Sequence, residues 1–170
     1  MTNDDARPDY EIVSIDPQPT VTVPITEPFA ELDLAAAYDR SIPFVAARIA
    51  DAGGQVAGAP FGRYHRFNPT AVDIEIGFPV VAPPAGIAPL DAVGPGEAGM
   101  SSLPGGSVAR TIHRGSYDGL KAAFDALHEW IHAQPGVDDG DGPWESYLDS
   151  PAEVAMEDVR TEIVWPLVTE

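Results

Sequence analysis

The most constraining feature of this sequence is that it repeats itself. Pro60-Phe61-Gly62-Arg63-Tyr64 returns as Pro143-Trp144-Glu145-Ser146-Tyr147, and Glu75-Ile76-Gly77-Phe78-Pro79-Val80 returns as Glu162-Ile163-Val164-Trp165-Pro166-Leu167. Two blocks matched in the same order, each closing its part of the chain, predict a duplicated fold.

The segments between the blocks repeat as well. Alternation at Tyr10-Glu11-Ile12-Val13-Ser14-Ile15 and at Thr20-Val21-Thr22-Val23 predicts two strands around a proline-containing turn. Leu34, Tyr38, Ile42, Val45 and Ile49 then fall at helical spacing on one stripe. Pro43 interrupts that stripe, so a kink or a restart capped by Ser41 is expected, and Gly53-Gly54 marks the end. Extended stretches follow at 61–67 and 72–80. After a Pro-, Gly- and Ala-rich connector, 81–96, strands are expected near 99–103 and at 107–113, around a Pro104-Gly105-Gly106 turn. A helix over 117–133 shows its stripe at Leu120, Phe124, Leu127 and Ile131, with Ser116 as N-cap, and strands at 144–148 and 160–167 close the chain. The expected organisation is a short disordered tail, 1–9, before one domain, 10–168, built of half-repeats 10–80 and 97–168. The fold class is α+β. Duplicated strand-helix-strand (SHS2-type) halves form one antiparallel sheet, with two helices on one face and a ligand cleft on the other.

Charge narrows the function classes. Nine basic residues face 27 acidic ones, a formal charge of −18, and Lys121 is the only lysine. Such a surface repels phosphate backbones and attracts cations, which argues against direct nucleic-acid binding. Cysteine is absent, so disulfides, thiolate catalysis and cysteine zinc sites are excluded. No window reaches the roughly 18 apolar residues of a membrane helix, and the acidic, polar N-terminus is unlike a secretory leader; a cytoplasmic location is expected.

Strand phase selects the candidate site. Glu145 and Tyr147 share one face of their strand, while Trp144, Ser146 and Leu148 share the other. The second set is mostly apolar and suits the helix side, which directs Glu145 and Tyr147 into the cleft. By the repeat, Gly62, Tyr64 and Arg66 follow the same path, and Tyr64 is the mate of Tyr147. Gly62 stands where the second half has Glu145, so symmetry is broken there. A carboxylate in a partly apolar groove has a raised pKa, and an incoming cation relieves its desolvation. Aromatic faces add about 0.5–2 kcal/mol each. Tyr117, opening the second helix, could line the same groove, whereas Glu75 and Glu162, equivalent in the repeat, suggest a shared structural role.

One motif misleads at first sight. His128-Glu129-Trp130-Ile131-His132 spells H-E-x-x-H. Its histidines lie on the flank of the helix stripe, Pro135 ends the helix at once, and no further histidine follows, leaving only acids such as Glu153 or Glu157. No metal and no cofactor are therefore expected. His65 and His113 read as strand residues satisfied locally.

The chain resembles the GyrI-like small-molecule-binding family, which also serves as the C-terminal effector domain of AraC-type and MerR-type multidrug regulators. The resemblance rests on Phe61-Gly62-Arg63-Tyr64-His65, on the residues 73–80, on Leu103-Pro104-Gly105-Gly106-Ser107-Val108-Ala109, and on His113-Arg114-Gly115-Ser116-Tyr117-Asp118-Gly119-Leu120. It continues through the blocks that begin at Pro143 and Arg160. It implies a cleft with a central glutamate that binds cationic or amphipathic compounds. The ligand-contacting set expected on this basis is Glu145, Tyr147, Tyr64, Glu162, Trp165 and Tyr117. The chain as given shows no helix-turn-helix, so it is expected to bind its ligand without a DNA-binding domain of its own. Two other classes follow from the resemblance. One is a hydrolase of cyclopropane-bearing electrophiles, with Glu145 and Tyr147 as its catalytic pair. The other is a protein that engages DNA gyrase through its acidic surface.

Overall fold

A computed structural model describes residues 9–169, apart from the side chain of Phe29. The expected tail lies, but for residue 9, outside the described residues. The strands are β1 (Glu11–Ile15), β2 (Gln18–Glu27), β3 (Phe61–Phe67), β4 (Val72–Pro79), β5 (Gly99–Leu103), β6 (Gly106–Arg114), β7 (Val137–Asp139), β8 (Trp144–Tyr147) and β9 (Arg160–Thr169). The helices are α1 (Leu34–Asp51) and α2 (Leu120–His132). Every expected strand is present, and β7 is an addition.

The strands form one antiparallel sheet in the order β1-β6-β9-β8-β3-β4-β2-β5, with β7 attached to β9. Its centre is the β3–β8 pair, in which Phe61 lies opposite Ser146, Gly62 opposite Glu145, and Arg63 opposite Trp144. Gly62 therefore faces its own repeat equivalent, Glu145, and the pseudo-two-fold axis passes between the two. The outermost strands are exchanged. β1, from the first half, pairs with β6, and β5, from the second half, pairs with β2.

α1 starts at Asp33, whose side chain accepts from the Ala36 amide at 3.1 Å, and it ends before Gly53, whose φ of +71° suits glycine. It runs unbroken through Pro43, so no restart occurs at Ser41, which lies inside the helix. Pro43 is exposed, while Ala37, Ser41, Val45 and Ile49 are buried on the opposite side. Interior proline costs a helix about 3 kcal/mol, and burying that apolar row against β2 and β4 offsets it. The Ser116 hydroxyl caps a tight turn at Tyr117–Gly119, and α2 proper begins at Leu120. Leu127 and Ile131 of α2 pack on Ala109 and Ile163.

The face away from the helices carries a second core of Phe61, Leu103, Val108, Trp144 and Val164, joined by Val13 and Ile15. Residues of β1 and β5, at opposite ends of the strand order, thus meet residues of the middle strands. The sheet is curled back on itself, and Arg63 donates from Nη1 to the Ser102 carbonyl of β5. Both faces are consequently apolar. That corrects one expectation: Trp144 lies on the curled face, and Glu145 with Tyr147 lies on the helix face, so the aromatic groove and the helices share one side of the sheet.

Candidate functional site

Glu145 is 3% exposed at the centre of the sheet. Its Oε1 accepts hydrogen bonds from the hydroxyls of Tyr64 and Tyr147, both at 2.6 Å. The Tyr38 and Tyr64 hydroxyls lie 3.1 Å apart. Since the single proton of Tyr64 goes to Glu145, Tyr38 is the donor in that contact. A directed chain results, from Tyr38 to Tyr64 to Glu145, with Tyr147 converging on the same oxygen.

Four separate elements supply the rings. Tyr38 comes from α1, Tyr64 from β3, Tyr147 from β8, and Tyr117 from the turn ahead of α2. Tyr38 meets Tyr147 edge-on with centroids 5.1 Å apart, and Tyr117 does so at 5.8 Å. Phe124 of α2 stands edge-on to Tyr64 at 6.1 Å. Gly62 makes this closure possible, because a Cβ there would lie 1.8 Å from the Tyr38 hydroxyl oxygen. The symmetry break thus has a steric meaning. The repeat keeps one carboxylate on the axis and uses the vacated position to seat a tyrosine.

The electrostatics follow from the burial. Desolvation raises the Glu145 pKa above its ordinary value, against the opposing pull of the two tyrosine hydrogen bonds and of His113. Burial and the carboxylate likewise raise Tyr38, Tyr64, Tyr147 and Tyr117. Among the described residues, no arginine or lysine forms an ion pair with Glu145. Two more polar groups sit buried on the same face, the hydroxyls of Thr111 and Thr161, with no hydrogen-bond partner among the described residues. Thr161 lies opposite Tyr147 in the β8–β9 ladder.

Of the residues expected at the site, the structure brings together Glu145, Tyr147, Tyr64 and Tyr117. Trp165 lies one ring further out, 6.0 Å from Phe124, with its indole N–H bonded to the Gly140 carbonyl. Glu162 is apart from the cluster, on the other face, opposite Ser146 and within the influence of Arg110 and Glu11. The sequence reading missed Tyr38, which it placed in the core stripe of α1, and Phe124. Two open recesses lie elsewhere. One, of about 320 Å³, is lined by Ile25, Arg40, Phe44 and Pro95 among others, and one, of about 250 Å³, adjoins His65 and Glu75. Neither is lined by Glu145 or its tyrosines.

The sequence profile of the GyrI-like small molecule binding domain matches residues 8–168. The chain belongs to that family. Solved structures agree on the fold. The EcmrR C-terminal domain superposes with a TM-score of 0.77 at 20% identity, over 96% of this chain and 99% of that one. EcmrR in its complex with DNA gives 0.73, and there this GyrI-like chain spans 58% of the longer protein. SAV2435 bound to tetraphenylphosphonium gives 0.60 at 16% identity, covering 94% of each chain. A hydrolase encoded by lin2189 from Listeria innocua gives 0.61 at 10% identity, over 94% of this chain and 92% of that one. No curated protein sequence matches this one. Among the described residues, no helix is long and apolar enough to cross a membrane.

Proposed function

We propose that this GyrI-like domain reversibly binds lipophilic cations, with Glu145 as the counter-charge and Tyr38, Tyr64, Tyr117 and Tyr147 as the aromatic wall. The observation that carries this reading is a buried carboxylate held by tyrosine hydroxyls, with no arginine or lysine paired to it among the described residues. Such a group is desolvated and uncompensated. A cation entering the cluster restores the missing charge, while the ring faces contribute about 0.5–2 kcal/mol each. In the present arrangement the rings fill the space over Glu145, so a guest enters by displacing them. Tyr117, 39% exposed, is the ring at the surface. The orphan hydroxyls of Thr111 and Thr161 offer polar contacts once the cluster opens. Support from outside the chain comes from the likeness to SAV2435, whose structure holds the cation tetraphenylphosphonium.

The test is a pair of calorimetric titrations, one with tetraphenylphosphonium and one with neutral triphenylphosphine oxide. The cation is expected to bind and the neutral compound to bind much more weakly. Equal affinity for the two would remove Glu145 from the explanation. A hydrolytic role is the second reading, favoured by the short Tyr–Glu–Tyr hydrogen bonds and by the likeness to a Listeria hydrolase. Glu145 would then move a proton to or from a bound water. Incubation with a cyclopropane-bearing electrophile, followed by mass spectrometry, separates turnover from simple binding.

A further inference from the structure

The far end of α2 carries a second constellation, unconnected with Glu145. His128 and His132 are one helical turn apart and half-exposed, and β7 brings Asp139 against them. The His128 and His132 Nε2 atoms are 3.1 Å apart, and the Asp139 Oδ1 lies 2.8 Å from His132 Nε2 and 3.4 Å from His128 Nε2. Three donor atoms therefore mark a nearly equilateral triangle. A tetrahedral ion with ligand bonds of about 2.0–2.1 Å needs donor separations of about 3.3 Å, which this triangle approaches on every edge. From sequence no metal is expected here, with only acids such as Glu153 or Glu157 left as a third donor; the three-residue β7 places Asp139 beside the histidines instead.

Protons alone serve this arrangement poorly. One Nε2 proton on His132 cannot be directed at His128 Nε2 and at Asp139 together. A cation would accept lone pairs from all three atoms at once. The surroundings also resemble the outer support of a metal site. Asp138 Oδ1 is 3.4 Å from His132 Nδ1, on the side a coordinated imidazole keeps for a carboxylate. The His128 ring lies against Trp165, with centroids 5.0 Å apart, which limits its rotation. Asp139 is held in a ladder opposite Leu167 of β9, and the next residue, Gly140, donates to the Pro166 carbonyl at 2.7 Å.

We propose that His128, His132 and Asp139 form a binding site for a divalent transition ion of the zinc class, leaving one coordination position open to solvent. Two imidazoles and one carboxylate favour Zn²⁺, Co²⁺, Ni²⁺ or Cu²⁺ over Mg²⁺ and Ca²⁺, which prefer oxygen. The bound ion ties the end of α2 to the sheet through β7. Glu129, between the histidines, is exposed.

The experiment uses the tag-free, EDTA-treated chain in excess Mg²⁺, which occupies the diffuse sites expected of a −18 protein. Co²⁺ is followed by visible absorbance, and Zn²⁺ by calorimetry. One ion per chain is expected, with intense tetrahedral Co²⁺ bands that Zn²⁺ abolishes and a Zn²⁺-dependent rise in Tm. Asp139→Asn and His132→Ala should each weaken Zn²⁺ binding by at least about tenfold. The same Zn²⁺ affinity in a His128→Ala/His132→Ala double variant, or no binding once Mg²⁺ is in excess, overturns the assignment.

Discussion

Two buried glutamates, one on each face of the sheet, have been given opposite treatments. Glu75 lies on the curled face, 5% exposed, where it accepts from the Thr22 hydroxyl at 2.8 Å and pairs with His65. Burial alone would raise its pKa, but the hydrogen bonds of His65, Ser101 and Thr22, together with the His65 charge, leave it lowered. Glu145, on the helix face, has two tyrosine hydroxyls as its donors among the described residues, and burial raises its pKa. Equal burial therefore gives contrary chemistry. The partner decides, and the proposed cation site takes the carboxylate that has no arginine or lysine paired to it among the described residues.

The largest expected effect is on Glu145. Glu145→Gln keeps the shape and an acceptor for the tyrosines but removes the charge. Affinity for tetraphenylphosphonium should fall by about 100-fold, roughly 2.7 kcal/mol, in calorimetric titration. An unchanged affinity would erase the contrast between the two glutamates. Glu75→Ala should do the reverse. It leaves His65 and Thr22 without their acceptor and should destabilise the fold by about 1–3 kcal/mol in denaturant unfolding, with cation affinity intact.

Acid sharpens the comparison further. In the proposed site Glu145 would attract a cation only when ionised, so affinity should rise with pH through its raised pKa, at higher pH than an ordinary carboxylate, while a neutral ligand stays flat. Stability moves in opposite directions for the two. The raised pKa of Glu145 means that its contribution is most favourable below the unfolded value and is lost as pH climbs through the folded one. The lowered pKa of Glu75 makes its contribution present above the unfolded value and lost as pH falls through the folded one. Thermal melts across pH should thus show Glu145→Gln gaining on wild type towards neutrality, and Glu75→Ala converging with wild type in acid. The smallest effect is expected for Tyr64→Phe. Losing one donor to the carboxylate should move the pH midpoint of cation binding upward, by on the order of one unit.

Much of this was readable from residue order. The repeat blocks located the central strands, and period-two phase grouped Glu145 with Tyr147 and Tyr64. Phase could not say which face the helices cover, because Trp144 and Phe61 are as buried as any helix-facing residue once the sheet curls back. Tyr38 was hidden for a related reason. A tyrosine on an apolar stripe looks like core until the absent Cβ of Gly62 shows where its hydroxyl goes. β7 escaped notice because Val137-Asp138-Asp139 is too short and too acidic to read as a strand, and with it went the carboxylate that faces the two histidines.

The exchange of outer strands has a consequence for how this chain is born. Glu11 meets its ladder partner only when Arg110 has left the ribosome, 99 residues later, so the first strand to be made waits while the whole first half is synthesised. β2 similarly waits for β5 before its outer edge is covered. Until then the nascent first half presents an unpaired ribbon, and contacts this distant in sequence slow folding. Final closure thus depends on both halves, and one severed from the other would be left with an open seam.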